Sequence, residues 1–264
     1  MLRRPKVVIL CGGKGTRIRD VSEVLPKPMI PIGHKPIVEH IMEIYGLFGF
    51  NEFVLCLGYK GWKIKEYFLN HRYQSADISV DLADPAAVTV HEGVPAPPWQ
   101  VTLSETGMEA MTGARIARAR KYVGDETFMV TYGDGIGDID ISALLKFHRS
   151  HGKLATITSV RPASRFGEMV IEDGLVVDFQ EKPQTARGFI NGGFFVFEKG
   201  VFDYLSTNDD CILEGEPLRY LARDRQLMTF VHEGFWMPMD TIREYELLNQ
   251  LWKDGAAPWK RQGI

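Results

Sequence analysis

Two short apolar runs, VVILC at 7–11 and FVLCL at 53–57, are unbroken by polar residues and contain β-branched side chains. Such runs predict strands buried on both faces, as in a parallel sheet. Between them, Ile37, Ile41, Ile44, Tyr45 and Phe48 recur at helical spacing behind Pro36, which suits a first helical turn, and Gly49 ends the segment. Ile64, Tyr67 and Phe68 repeat that spacing in GWKIKEYFLNH. Strand, helix, strand, helix over the first 75 residues is the order of a parallel α/β sheet.

The middle is less regular. DPAAVTVHEGVPAPPW at 84–99 carries four prolines and reads as an extended loop or lid, with at most a short strand. WQVTL at 99–103 alternates like a strand, 113–123 has helical spacing, and TFMVTY at 127–132 reads as a buried strand that runs into GDG at 133–135. Asp140 is placed to cap the helix ISALLKFHRSHG, and LATITSV at 154–160 is another strand. Further on, Asp173-Gly174 between two apolar runs signals a hairpin. FINGGFFVF at 189–197 and MTFVHE read as strands, and EPLRYLARDRQ and REYELLNQLWKDG as helices. With no repeat or linker, the pattern predicts one domain over 1–264, an α/β core with an appended mixed lobe.

Composition narrows the class without identifying it. The chain has 264 residues, 45% hydrophobic and 25% charged, which is ordinary for a globular protein. A formal charge of −3 gives no global pull toward nucleic acid or an anionic membrane, so any anion site must be local. Cys11, Cys56 and Cys211 form no CxxC pair, which argues against a disulfide framework and fits a reducing cytoplasmic compartment. The apolar run near the start is too short for a signal-peptide core, and no stretch reaches the ~18 apolar residues of a membrane span.

The local anion site is GGKGTR at 12–17, where the first strand ends. It fails the Walker pattern, because Gly15 follows Lys14, and the dinucleotide fingerprint, because Ile18 stands where glycine is required. What remains is a flexible backbone at a strand's carboxyl end, able to turn consecutive N–H groups toward phosphate. Arg17 adds a bidentate fork, and Lys14 and Lys27 add point charges. Lys27 is flanked by prolines in PKP, so its backbone is held. Taken singly, Asp134 suits a turn as well as a metal, Asp240 suits the N-cap of the helix after it, and Glu181-Lys182 suits a surface ion pair.

GGKGTR followed by LPKPM resembles the signature of the sugar-phosphate nucleotidylyltransferases, and YGDG, FQEKP, INGGFF and FWMPMDT extend the likeness in family order over nearly the whole chain. PPWQVTLSETGMEAMTGARI and LWKDGAAPWK are similar to the members that act on glucose 1-phosphate with CTP. The resemblance implies a Rossmann-like core, nucleotide-binding over about 1–135, and a smaller sugar-binding α+β part over about 136–264. It implies CTP and glucose 1-phosphate as substrates, Mg²⁺ as cofactor, pyrophosphate and CDP-glucose as products, and a homo-oligomer, with a hexamer among the family's forms. Such products feed deoxysugar synthesis for bacterial surface polysaccharides.

Residue by residue, the resemblance assigns Leu10, Cys11, Gly12, Gly13, Lys14, Gly15, Thr16 and Arg17 to the nucleotide loop, with Thr112, Arg115 and Gly133 as further nucleotide contacts. Arg17, Lys27 and Asp134 carry catalysis, the first two by stabilising the leaving pyrophosphate, and Asp134 with Asp240 holds the metal. Gly167, Glu181, Lys182, Asn191 and Gly192 meet the sugar phosphate. A uridylyl- or thymidylyltransferase and a silent sugar-nucleotide sensor remain the alternatives. Outside this set, His148 and His151 read as a polar helix end, and Trp236 and Trp259 as core or subunit contacts. Cys11 reads as a small buried hydrophobe or a thiol sensitive to reagents.

Overall fold

A computed structural model describes residues 4–13, 24–74, 76–84, 87–93, 95–161, 168–172, 175–180 and 188–260. Its centre is a mixed, mostly parallel sheet. In chain order the strands are β1 (Val7–Leu10), β2 (Glu52–Leu57), β3 (Gln100–Glu105), β4 (Phe128–Tyr132), β5 (Ala155–Val160), β6 (Ile190–Asn191), β7 (Phe195–Phe197) and β8 (Leu227–His232). Parallel pairs join β4 to β1, β1 to β2 and β2 to β3. On the other side β7 runs antiparallel to both β4 and β5, and β8 lies parallel to β5. The second half of the chain thus continues the sheet begun by the first.

Burial on both faces follows from the alternation along each strand. Val7 and Ile9 of β1, with Phe53, Leu55 and Leu57 of β2, enter one core; Val8 and Leu10, with Val54 and Cys56, enter the other. Helices α1 (Ile37–Gly46), α2 (Gly61–Gln74), α4 (Ile141–His151) and α6 (Ile242–Lys253) send Ile41, Ile64, Leu144 and Leu248 into the first core. Helices α3 (Thr112–Val123) and α5 (Glu216–Arg223) send Ile116, Ala119 and Leu221 into the second. The result is a sheet covered on both faces, the arrangement that an unbroken run such as VVIL requires. Asp140 caps α4 as expected, accepting the Ala143 N–H at 2.8 Å.

Two segments refine the sequence reading, the first by fixing the short strand it allowed within 84–99. Val88–Gly93, inside the proline-rich stretch, pairs antiparallel with Ala76–Val80, so that stretch contributes a hairpin strand as well as loop. The 189–197 run is broken in the middle: β6 and β7 pair with β5 at either end, and Gly193 (φ +74°) and Phe194 (φ +47°) turn the backbone between them. Only glycine takes such φ without cost; Phe194 is held there by complete burial and stacking on Tyr45 at 5.8 Å.

Candidate active site

The chain leaves β1 toward β2 and β3, then returns to place β4 on the other side of β1. Strand order reverses between β1 and β4, and open α/β sheets take ligands in the crevice beyond such a reversal. Gly12 and Gly13 leave β1 there, and Gly133 and Asp134 leave β4, the two ends joined by a 3.1 Å bond from the Gly133 N–H to the Leu10 carbonyl. A cavity of about 340 Å³ opens against Leu10, Gly12, Gly13, Arg115 and Gly133. Beside it lies a larger one of about 980 Å³, walled by Asn191, Gly192, Glu214, Trp236 and Arg243. Thr112, Tyr132, Asp134 and Asp240 face both.

At that seam the structure brings Lys27, Asp134 and Asp240 together. The Lys27 ammonium lies 2.6 Å from Asp134 Oδ2 and also donates to Asp240 Oδ1. Its side chain is 12% exposed, so both pairs form largely out of water. Burial pulls the Lys27 pKa down, but Asp134 and then Asp240 outweigh it and hold the group above the ordinary lysine range. The flanking prolines act as their positions predict: Pro26 enters extended, and Lys27–Met29 forms a tight 3-10 turn. Asp240 does not cap α6, as its position had suggested. Thr241 takes that role, in a capping box with Glu244, whose carboxylate also accepts the Asp240 N–H at 2.8 Å. The Asp240 side chain therefore faces the seam.

Arg115 lies in the wall of the smaller cavity and is nearly buried. Its guanidinium donates to the carbonyls of Leu57, Gly107 and Gly12 at 2.8, 2.9 and 3.0 Å and to Thr106 Oγ1 at 2.9 Å. It thereby ties Gly12, where the glycine loop begins, to the end of β2. Cys11 points away from the cavity into the core, fully buried, and its thiol is pushed well up by desolvation.

The larger cavity carries a polar chain in which Thr112 and Asn191, named from the sequence, are joined by Tyr132 and Glu214, which were not. Thr112 Oγ1 accepts the Leu213 N–H at 2.9 Å and donates to Glu214 Oε2 at 2.7 Å. Tyr132 donates its hydroxyl to the other Glu214 oxygen and accepts from Asn191 Nδ2 at 2.9 Å. Burial, then the Glu214 charge, push the Tyr132 phenol up, so it remains a donor. Each Glu214 oxygen keeps acceptor capacity toward the cavity. Trp236, read from sequence as core or a subunit contact, forms a cavity wall, its indole N–H bonded to the Gly192 carbonyl at 2.8 Å. Trp259 is a core residue, 3% exposed. Lys14, Gly15, Thr16, Arg17, Gly167, Glu181 and Lys182 lie outside the described residues.

Fold and crevice define the class: a Rossmann-like α/β protein whose ligand site opens at the carboxyl ends of its parallel strands. A family model described as "Nucleotidyl transferase" matches residues 6–254, and the chain belongs to that family. It is 48% identical to a glucose-1-phosphate cytidylyltransferase of Salmonella typhi, over 97% of this chain and 98% of that one. A probable glucose-1-phosphate cytidylyltransferase of Bacillus subtilis is 44% identical over 97% of this chain and 99% of its own length. Among solved structures, a putative glucose-1-phosphate thymidylyltransferase from Bacillus anthracis superposes with a TM-score of 0.68 at 16% identity, covering 99% and 98% of the two chains; that likeness concerns the fold.

Proposed function

We propose that this nucleotidyltransferase moves a cytidylyl group from CTP to α-D-glucose 1-phosphate, giving CDP-glucose and pyrophosphate. The observation that carries the reading is the seam: a lysine between two carboxylates, where a glycine-walled cavity meets a polar one. Near-full-length identity of 48% to the Salmonella typhi relative supports the substrates.

In this reading a sugar phosphate oxygen attacks the α-phosphorus and pyrophosphate departs. Two polyanions must meet, so the protein's tasks are alignment and charge neutralisation. The backbone at Gly12 and Gly13 offers N–H groups, and Gly133, whose N–H is held by the Leu10 carbonyl, leaves room for the nucleotide. The carboxylate of Glu214 and the amide of Asn191 receive sugar hydroxyls in the larger cavity, with Trp236 as an apolar wall. Lys27 supplies positive charge at the seam, and Arg17, from the resemblance, adds to it.

The donor set fits Mg²⁺. Asp134 and Asp240 present hard oxygen donors that already converge on one cation, the lysine ammonium. Among the described residues no larger cluster of metal-ligating side chains occurs. Mg²⁺ asks for just one or two carboxylates and completes its shell with phosphate and water. Asp134 and Asp240 would hold it, and when bound it neutralises phosphate charge as the transfer proceeds.

The test is pyrophosphate release from glucose 1-phosphate with CTP, UTP, dTTP or GTP, with and without Mg²⁺. Turnover should be fastest with CTP and lost without a divalent ion. Faster turnover with UTP or dTTP overturns the base assignment. Nucleotide binding with no turnover under any condition overturns the enzymatic reading in favour of a sensor.

A further inference from the structure

We propose that Lys27 is a resident cation that keeps Asp134 and Asp240 closed to a divalent metal until nucleotide phosphates draw the lysine away. The inference rests on the assignment of those two aspartates to the metal. The ammonium bonds to one oxygen of each carboxylate at once. It therefore stands where their charges converge, the position a cation bridging them must take. A divalent ion and an ammonium cannot share that volume, because both steric overlap and like-charge repulsion oppose it. One of them must leave.

The lysine is built to be the one that moves. Its backbone is fixed by prolines on both sides and by the bonds Met29 N–H to Pro26 O at 2.8 Å and Ile30 N–H to Lys27 O at 3.1 Å. The side chain is a flexible four-carbon stem that can change rotamer without disturbing that turn. Both cavities border the seam, so a rotated ammonium stays among the groups that would face phosphate. Charge favours the exchange when nucleotide is present. Without it, the lysine ammonium offsets part of the charge of the two carboxylates and so weakens their attraction for a divalent ion. With a triphosphate beside it, the released ammonium gains phosphate partners and the carboxylates gain the metal. Metal and nucleotide then bind cooperatively, each raising the affinity for the other by the same factor.

The experiment measures Mn²⁺ binding to the full chain without nucleotide, from the paramagnetic resonance signal of free Mn²⁺, in wild type, Lys27→Met and Lys27→Arg. Lys27→Met should bind Mn²⁺ at least tenfold more tightly than wild type, about 1.4 kcal/mol, and Lys27→Arg should stay as weak as wild type. Adding CTP should tighten Mn²⁺ binding far more in wild type than in Lys27→Met. Equal or weaker Mn²⁺ binding by folded Lys27→Met overturns the proposal while leaving the metal assignment intact. Asp134→Asn separates the two: if it binds Mn²⁺ with CTP as wild type does, the metal assignment itself fails, and the proposal with it. A second measurement needs no variant. Acylation of Lys27 in wild type, followed by peptide mass spectrometry, should be slow and should accelerate with saturating Mn²⁺ alone; an unchanged rate overturns the proposal.

Discussion

Glu214 shows how much of a site depends on contacts that no local pattern announces. Its carboxylate accepts one hydrogen bond per oxygen, from Thr112 Oγ1 and from the Tyr132 hydroxyl, and still faces the larger cavity. Glu214→Gln keeps the shape but removes the charge and one acceptor. A hydrogen bond to a charged group contributes about 1.5–3 kcal/mol. The KM for glucose 1-phosphate should rise about tenfold or more, with a smaller change for CTP; steady-state kinetics with each substrate varied in turn will check it, and an effect confined to CTP contradicts the placement. In LEGEP the residue looks like a surface carboxylate before a helix. It reaches the cavity because the segment before α5 packs under α3 and against the end of β4, a nonlocal meeting. Lys27, Asp134 and Asp240 were legible by contrast, because proline neighbours, flanking glycines and the family's order of motifs each marked them. The cysteines give a second test of burial. Desolvation pushes the Cys11 thiol well up and the Cys56 thiol to about 12, while Cys211 is partly exposed. Iodoacetamide at neutral pH should label Cys211 first and leave activity largely intact; rapid labelling of Cys11 in the folded protein contradicts its burial.

Elements carry the site by meeting at fixed points, and the junction of β1, β2 and α3 is closely packed. A Cβ added at Gly12 would lie 2.1 Å from the guanidinium carbon of Arg115, and one at Gly58 would lie 2.6 Å from an Arg115 nitrogen and 2.9 Å from the Gly107 carbonyl. Arg115 is a long side chain, but four oxygens pin it, so it cannot simply swing aside. Gly12→Ala should destabilise the protein by about 1–3 kcal/mol, as overpacking of a filled site does. That corresponds to about 2–4 °C in Tm for each kcal/mol at such chain lengths. CTP affinity should fall as well, because the displaced carbonyl belongs to the loop. Calorimetry and nucleotide titration will decide; a wild-type Tm with wild-type affinity rules out the clamp. This junction explains what sequence could and could not say about elements. The parallel strands were readable because burial on both faces writes an uninterrupted apolar run. The Ala76–Val80 strand was not, since its hairpin leaves Ile78 and Val80 exposed and so lacks a buried face to set an alternation. Its partner, Val88–Gly93, was legible just as a short strand among prolines, with nothing to show what it pairs with.

The sheet divides its two ends between different tasks. The carboxyl ends of β1 and β4 open into the crevice, whereas the amino end of β4 is closed by a polar network around the buried His148. His148, 1% exposed at its side chain, meets Thr156 Oγ1 through Nδ1 at 2.8 Å and Glu198 Oε1 through Nε2 at 3.1 Å. His151 reaches the same Thr156 oxygen at 2.7 Å. From sequence these histidines read as a polar helix end; burial of His148 depends on α4 lying across β5 and the residue after β7, which local spacing does not record. Desolvation holds the pKa of His148 below its usual 6.5, against the pull of Glu198, and desolvation also lowers His151 and His40. The sign follows from proton binding. Between 6.5 and the lower folded values, the unfolded chain binds more protons than the folded one, so stability rises with pH across that window. It is fully present above about 6.5 and is lost as pH falls through the folded values. The Tm should therefore fall between pH 7 and pH 5.5. His148→Gln, which can still bond Thr156 but cannot take the proton, should lose less over the same interval even if its Tm at pH 7 is lower. Since the network lies at the end of the sheet opposite the crevice, the variant's KM values at pH 7.5 should match wild type. An identical acid slope in both proteins would falsify the assignment of this instability to His148, and altered KM values would refute the separation of the two ends.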